Sequence, residues 1–522
     1  MKIYSTIYNS LCLILIIVLG NSCNRLEQKK FVAPVEQIIR IDSTKIGVTT
    51  ILSDLNVPWE IAWGPDNQIW FTEQSGTISK VDPHTGKKKL LLDITHEVYR
   101  QRTLGLLGMV IYPDKKQHYL IVDYTTHTGK DSILVSRLVR YTYTNDTLKN
   151  PFILLEIPGG PGGHNGSRVA VSPDGKVFWS TGDATRDKNA QDILSLNGKI
   201  LRLNIDGSIP IDNPYPGSPV WSFGHRNSQG LVFTPEGILF NSEHGDATDD
   251  EVNLIQKSRN YGWPNVEGYC NTPDEKAYCD STGIAEPIKA WTPCIAPSGI
   301  DYYHSAKIPE WNNSILLVTL KGSSFRVLKL NKQGNSIISE KIYFQNQFGR
   351  LRDICVSPTG DIYISTSNRD WNPLGVPKKN DDRIIRIGKI SEVDNLSQVN
   401  INDVADAASG RVSLPESSSP GNTIYTNYCA SCHKKDGSGV AGTFPALRNN
   451  QYVTGEKRLL TKIVLKGSVA LPIKNQYEKS EKMPAFNFLN DQQIADVLTY
   501  IRQTWGNHAD SISNEEVKKT RK

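Results

Sequence analysis

Cys429, Cys432 and His433 stand in the stretch NYCASCHKKDGSG, residues 427–439. Two thiols three positions apart with an imidazole directly after them form the attachment pattern of a c-type haem: the cysteines bond the porphyrin and the histidine ligates its iron. A thioether as sixth ligand raises the potential and suits electron transfer. Beyond the initiator, the sequence holds only Met109 and Met483, and Met483 stands in EKMPAF, directly before a proline. It is the expected axial ligand. Iron held this way carries single electrons, and no second Cys-x-x-Cys-His precedes it. The source of the electrons must lie elsewhere in the chain.

The elements that position the haem read as helical. In LNDQQIADVLTYIRQTW, Ile494, Val497, Leu498, Ile501 and Trp505 share one face, and Asn490 with Gln493 forms an N-capping arrangement. Residues 421–507 are therefore expected to be a small all-α cytochrome c domain. The charged tail 508–522 is expected to be disordered. Residues 390–420, ending in SLPESSSPG, lack strand patterning and read as a linker.

Upstream, one phrase recurs: WGPDNQIWFTE, YPDKKQHYLIVDY, SPDGKVFWSTGD, TPEGILFNSEHG, APSGIDYYHS and SPTGDIYISTS. Its prolines, Pro65, Pro113, Pro173, Pro235, Pro297 and Pro358, fall roughly 50–60 residues apart. Each is read as a turn followed by alternating aromatic and β-branched residues. Six such units with no helical period between them predict an all-β six-bladed β-propeller over 46–389. A strand near Val48–Leu52 is expected to close the ring against Arg383–Lys389.

The 522 residues exceed one ordinary core, and the charge balance of +5 carries no basic stripe, so nothing points to nucleic acid. Lys2, the apolar run Leu11–Leu19 and the small residues before Cys23 read as an export signal over 1–22. A cysteine there resembles a lipoprotein site, with Cys23 lipidated and 23–45 a tether, although Gly20 stands where an aliphatic residue is usual; simple cleavage and release is the alternative. Either reading places the protein outside the cytoplasm, periplasmic or associated with the outer membrane of a bacterium. In an oxidising compartment Cys270 and Cys279 can pair, while Cys294 and Cys355 can remain buried thiols.

The segments GKILRLNIDGSIPIDNP, GHRNSQGL, SEHGDATDDE and NYGWPN closely resemble the soluble glucose/sorbosone dehydrogenases, or aldose sugar dehydrogenases, over roughly residues 50–389. The resemblance implies a six-bladed propeller that binds pyrroloquinoline quinone (PQQ) and Ca²⁺. It implies that His164 is the general base on the anomeric hydroxyl, that Arg226 is catalytic with it and, together with Asn227, contacts the quinone, and that Lys321, Arg350 and Arg352 bind the cofactor. It implies main-chain oxygens of Gly245 and Asp246 on the cofactor's Ca²⁺, and a second Ca²⁺ held by the carboxylate of Glu251 and the main-chain oxygens of Tyr261, Glu267 and Tyr269. The residue types agree: an imidazole suits proton removal, planar guanidinium groups suit a tricarboxylate, and calcium prefers oxygen. Arg350 and Arg352 lie two apart on an expected strand and so point the same way.

Three positions depart from the family: Gly163 replaces an Asp before the catalytic His, Thr103 (with Gln101 nearby) a Gln, and Thr292 (beside Trp291) an aromatic residue. The chemistry therefore transfers better than the identity of the sugar. Oxidation of an aldose to the lactone would send electrons from reduced PQQ to the haem, and then to a periplasmic or membrane redox partner. The linker spans roughly 30 Å if flexible, against a propeller radius of gyration of about 20 Å, so docking of the haem domain at the mouth is expected. The competing readings are a calcium-dependent sugar lactonase and a non-enzymatic carbohydrate-binding or electron-relay propeller.

Overall fold

The computed structural model describes residues 33–114, 117–129, 131–370, 376–391, 394, 396, 405–406, 419–440, 444–470 and 483–521. The proposed export signal and Cys23 lie outside the described residues. Among those described, the strands form five four-stranded antiparallel sheets and one six-stranded sheet. The first strands of the sheets, Pro58–Trp63, Leu106–Tyr112, Val169–Val171, Ser228–Phe233, Pro297–Tyr303 and Leu351–Val356, contact one another in a closed ring. The fold is a six-bladed β-propeller.

Second strands show why this sequence builds blades. Ile69–Glu73, Val177–Thr181, Leu239–Glu243 and Ile362–Thr366 read IWFTE, VFWST, LFNSE and IYIST, and every residue in them is buried. Each strand is sandwiched by the neighbouring blades, so its first half is large and apolar. Each ends polar, and these ends, Glu73, Thr181, Glu243 and Thr366, form a buried polar floor at one end of the ring. The proline turns lie at the opposite end, where a cavity of about 560 Å³ is framed by Pro113, Pro173, Pro235 and Pro358.

The ring closes by pairing Thr44–Leu52 with Ile384–Lys389, from Ile46 against Lys389 to Leu52 against Ile384. In the propeller and the linker, four sequence expectations need correction. Gln37–Ile41, placed in the tether 23–45, is a strand on Thr44–Leu52, because Ile38, Ile39 and Ile41 find a buried edge there. Pro297 begins an inner strand; the corresponding turn lies later, around Pro309–Trp311. A helix, Pro273–Thr282, interrupts the fourth blade, capped by Thr272 and Glu275 and tied by the Cys270–Cys279 disulfide. Within the proposed linker 390–420, Ala405–Asp406 pair in parallel with Ile39 and Arg40.

The C-terminal region is helical. Asp491–Gln503 carries the expected capping box of Asn490 and Gln493, and buries Ile494, Val497, Leu498 and Ile501. The tail 508–522, expected to be disordered, instead forms the helix Asn514–Arg521. Its one apolar residue, Val517, is fully buried, and Arg521 Nε pairs with Asp491 at 2.6 Å. No helix among the described residues is long and apolar enough to cross a membrane.

Candidate active site at the propeller mouth

His164 sits at the polar end of the ring in a tightly folded loop. Its φ is +50°, and Gly163, Gly166 and Ser167 also have positive φ. Asn165 staples the loop, its Oδ1 accepting from Gly160 N at 2.8 Å. The backbone of Gly182 presses against His164 so closely that a Cβ at 182 would stand 2.0 Å from the His164 carbonyl oxygen. Asp183, directly after, places Oδ1 at 2.8 Å from His164 Nδ1. Asp183 is fully buried while His164 is 20% exposed.

Burial alone would raise the Asp183 carboxyl. The hydrogen bond and charge of His164, the charge of Arg226 and the Trp263 indole overcome this and hold it below the usual carboxylate range. Trp263 Nε1 donates to Oδ2 at 2.9 Å and Thr185 N to Oδ1 at 2.7 Å. An ionised carboxylate only accepts, so His164 Nδ1 carries the hydrogen and Nε2 is left as a base.

Arg226 stands beside this pair, its guanidinium 5.1 Å from the Trp263 ring centre. Its backbone N–H donates to Glu243, which also accepts from buried His225 at 2.9 Å, and its Nη2 donates to Asp246 at 2.8 Å. Asn227 is buried and accepts from Gly166 N at 3.2 Å. Arg350 and Arg352 converge on one carboxylate, Asp370, at 3.9 and 2.5 Å. Burial pulls Arg350 down to about 10 and lowers Arg352 as well. The Nε atoms of Arg226 and Arg352 are buried without a partner. Two buried arginines that share one carboxylate, with orphaned donors beside them, fit a planar polyanion.

The haem-attachment segment meets the same rim. Cys429 ends a π-helical turn, Tyr425–Cys429, and Cys432 and His433 lie in the short helix that follows. His433 is buried and its Nδ1 donates to the Pro445 carbonyl at 2.9 Å, which leaves Nε2 for iron. Met483 packs against the same core. Lys321 of the fifth blade donates from Nζ to the carbonyl of Asn427, two residues before Cys429. Ala247 of the fourth blade packs against the haem-domain core.

Residues 55–374 match the glucose/sorbosone dehydrogenase family model. This chain belongs to that family. A quinoprotein glucose dehydrogenase B of Acinetobacter calcoaceticus is 32% identical over 422 residues, covering 63% of this chain and 87% of that protein. The solved PQQ-bound aldose sugar dehydrogenase of Streptomyces coelicolor superposes with a TM-score of 0.57 at 32% identity, covering 66% of this chain and 98% of that one. Residues 418–505 match the cytochrome c family model. The cytochrome c subunit of a quinone alcohol dehydrogenase from Gluconobacter oxydans is 38% identical over 104 residues, 19% of this chain and 22% of that subunit. The chain is a sugar dehydrogenase propeller fused to a cytochrome c domain, and its activity is that of an oxidoreductase.

The dehydrogenase also holds an acidic pocket next to Arg226, lined by Gly245, Asp249, Glu251, Tyr261 and Glu267 among others. Glu251 accepts from Gly268 N at 2.8 Å, and burial followed by the nearby Glu243 pushes its carboxyl up to about 8. Burial, then Asp246, pushes Glu267 up to about 7. Among the described residues no three His, Cys, Asp or Glu side chains form a ready-made metal cluster. The pocket instead brings together two costly carboxylates, those of Glu251 and Glu267. Of the residues expected there, Tyr261 is buried against His225, whereas the Tyr269 side chain is 38% exposed.

Asp183, Trp263, Glu243 and Asp370 are absent from the sequence expectations, yet they orient His164, Arg226 and the two arginines. Their signal is faint, because each is a single residue at the end of a strand or in a loop. His244 also went unselected. Burial, then the charges of Arg226, Arg352 and His164, push it down to about 3, so it stays neutral in the middle of the cationic group.

Proposed function

We propose that this dehydrogenase oxidises an aldose at its anomeric hydroxyl to the lactone and delivers the electrons to a haem c in the same chain. When bound, PQQ supplies the hydride acceptor, Ca²⁺ a Lewis acid, and haem c a one-electron carrier. His164 Nε2 takes the hydroxyl proton, and Asp183 holds the imidazole in the tautomer that can do so and steadies the resulting imidazolium. Arg226 and Asn227 contact the quinone, and Arg350 and Arg352 bind and orient the cofactor carboxylates, with Lys321 at the rim. Gly245 and Asp246 offer carbonyl oxygens to the cofactor's Ca²⁺. Glu251 and Glu267, with main-chain oxygens of Tyr261 and Tyr269, fit a second calcium, because a cation offsets the cost of their buried charge. Cys429 and Cys432 would anchor the haem, with His433 and Met483 as axial ligands. Cleavage after residue 22 with lipidation of Cys23 would tether the protein in the periplasm, where a redox partner would accept the electrons.

The observation that carries this reading is the His164–Asp183 pair facing the buried arginines, with the haem-attachment segment on the same rim. A lactonase has no use for a haem, and family membership sets aside the non-enzymatic reading. The test is to load the purified protein with PQQ and Ca²⁺, add aldoses, and follow the haem α-band. Sugar should reduce the haem in the native chain and not in His164→Ala, while dithionite should reduce both. Lactone hydrolysis without haem reduction would favour the hydrolase.

A further inference from the structure

The haem domain touches more of the mouth than electron delivery requires. Phe444 lies 6.0 Å beneath the Arg102 guanidinium. The next residue, Thr103, borders the catalytic loop: a Cβ on Gly163, beside His164, would stand 3.3 Å from Thr103 Oγ1. On the far side, Ala247 packs against the haem-domain core, and its neighbour Asp246 is the partner of Arg226. Tyr428 lies within electrostatic reach of Asp249 and Cys294. Asp249 N donates to Thr292 Oγ1 at 3.1 Å, and Gly322, next to Lys321, donates to the Ile295 carbonyl at 2.7 Å. Rim segments of three blades are thus held by one domain, around a histidine that is itself part exposed.

The propeller places small side chains on this rim: Thr103, Gly163, Ala247 and Thr292. The haem domain brings Phe444 to the segment of Arg102 and Thr103, and Tyr428, next to Asn427 at Lys321, towards Asp249 and Cys294; aromatic faces are the usual walls of a ligand site because they are large and rigid. Resting on the sugar-oxidising reading above, we propose that Tyr428 and Phe444 form the outer wall of the sugar site and restrict it to a single pyranose ring. A residue whose energy comes from excluding a larger ligand acts on selectivity, not on the reaction of the smaller one. The haem domain is then both electron acceptor and specificity element, and its two roles can be separated by substitution.

The test uses the full chain loaded with PQQ and Ca²⁺, with D-glucose and maltose as substrates and a soluble dye as terminal oxidant. Tyr428→Ala, Phe444→Ala and the double variant should raise kcat/KM for maltose relative to glucose by at least tenfold. The ratio of the two sugars is the readout, and dithionite reduction of the haem checks that the haem domain is intact in each variant. Arg102→Asn, which removes the propeller-side partner of Phe444 and tolerates the positive φ there, should shift the ratio the same way without altering the haem domain. A readout without turnover is amide hydrogen exchange over residues 99–105 and 245–249. Exchange should be slow in the native chain and at least tenfold faster in the double variant. An unchanged maltose-to-glucose ratio, or free exchange of both segments in the native chain, overturns the proposal. Absence of any sugar-driven haem reduction in the native chain would instead sink the underlying reading, and the wall with it.

Discussion

Replacing Asp183 by Asn tests the catalytic geometry with almost no change of shape. The amide oxygen can take the place of Oδ2 and still accept from Trp263 Nε1, while the amide nitrogen takes the place of Oδ1, where Thr185 N loses its acceptor. The change that bears on catalysis is the bond to His164 at 2.8 Å. A carboxylate can only accept, whereas an amide can donate, and donation to Nδ1 would move the imidazole hydrogen to Nε2. The base would then face the sugar hydroxyl with a hydrogen already in place. General-base catalysis contributes about 10²–10⁴-fold, so a reversed tautomer should cost about 10³-fold in kcat, or ~4 kcal/mol of barrier. The assay is sugar-driven reduction of the haem α-band in Asp183→Asn beside the native chain, with dithionite reduction as the control for an intact haem. Retention of activity within tenfold of native would refute the assignment of Asp183 as the group that orients His164.

Other outcomes follow from the same geometry. Gly182→Ala would push a methyl into the His164 carbonyl, and should lower activity more than tenfold while costing about 1–3 kcal/mol of stability by thermal unfolding. Arg350→Gln removes one buried cation from a charge-assisted site worth about 1.5–3 kcal/mol, so PQQ should bind roughly 10–100-fold more weakly by titration. Val517→Ala should destabilise the haem domain by about 2 kcal/mol, seen as a lower Soret-monitored melting temperature, because Val517 is buried in that core. On the proposed calcium reading, chelation should make stability pH-dependent. The Glu251 and Glu267 carboxyls, raised to about 8 and about 7 without a cation, bind protons in the folded state that the unfolded chain has lost. Stability of the chelated protein should therefore fall as pH rises from the ordinary carboxylate range towards 8, and added Ca²⁺ should flatten the slope.

The blades were legible because burial on two faces and a polar mouth impose the same phrase six times, and five of the six prolines do mark the turn between first and second strands. Pro297 misled because the residues after it, Ser298 to Tyr303, alternate like the others while belonging to the preceding strand. Arg350 and Arg352 do meet at one carboxylate, Asp370, although the strand expected to carry both begins only at Leu351, and His164 stood out through its motif. Asp183 did not: it lies 19 residues from His164, and nothing in a lone aspartate after a strand announces which ring it will meet. The final helix was hidden by its polarity, since eight residues with a single buried valine read as a solvated tail until Ile512 and Val517 find the helix Asp491–Gln503. The seat of the haem domain on the mouth could be judged only as reachable, because chain length limits distance without fixing orientation.

The account stands on electron transfer within one chain, and the dependence of its rate on protein concentration tests this most directly. The fully loaded, oxidised protein would be mixed anaerobically with excess aldose and the haem α-band followed by stopped flow over a hundredfold range of protein concentration. The account predicts a first-order rise with the same rate constant throughout, because the propeller and the haem it reduces are joined at Lys321 and Asn427. A rate constant proportional to protein concentration, or no sugar-driven reduction at all, would contradict it.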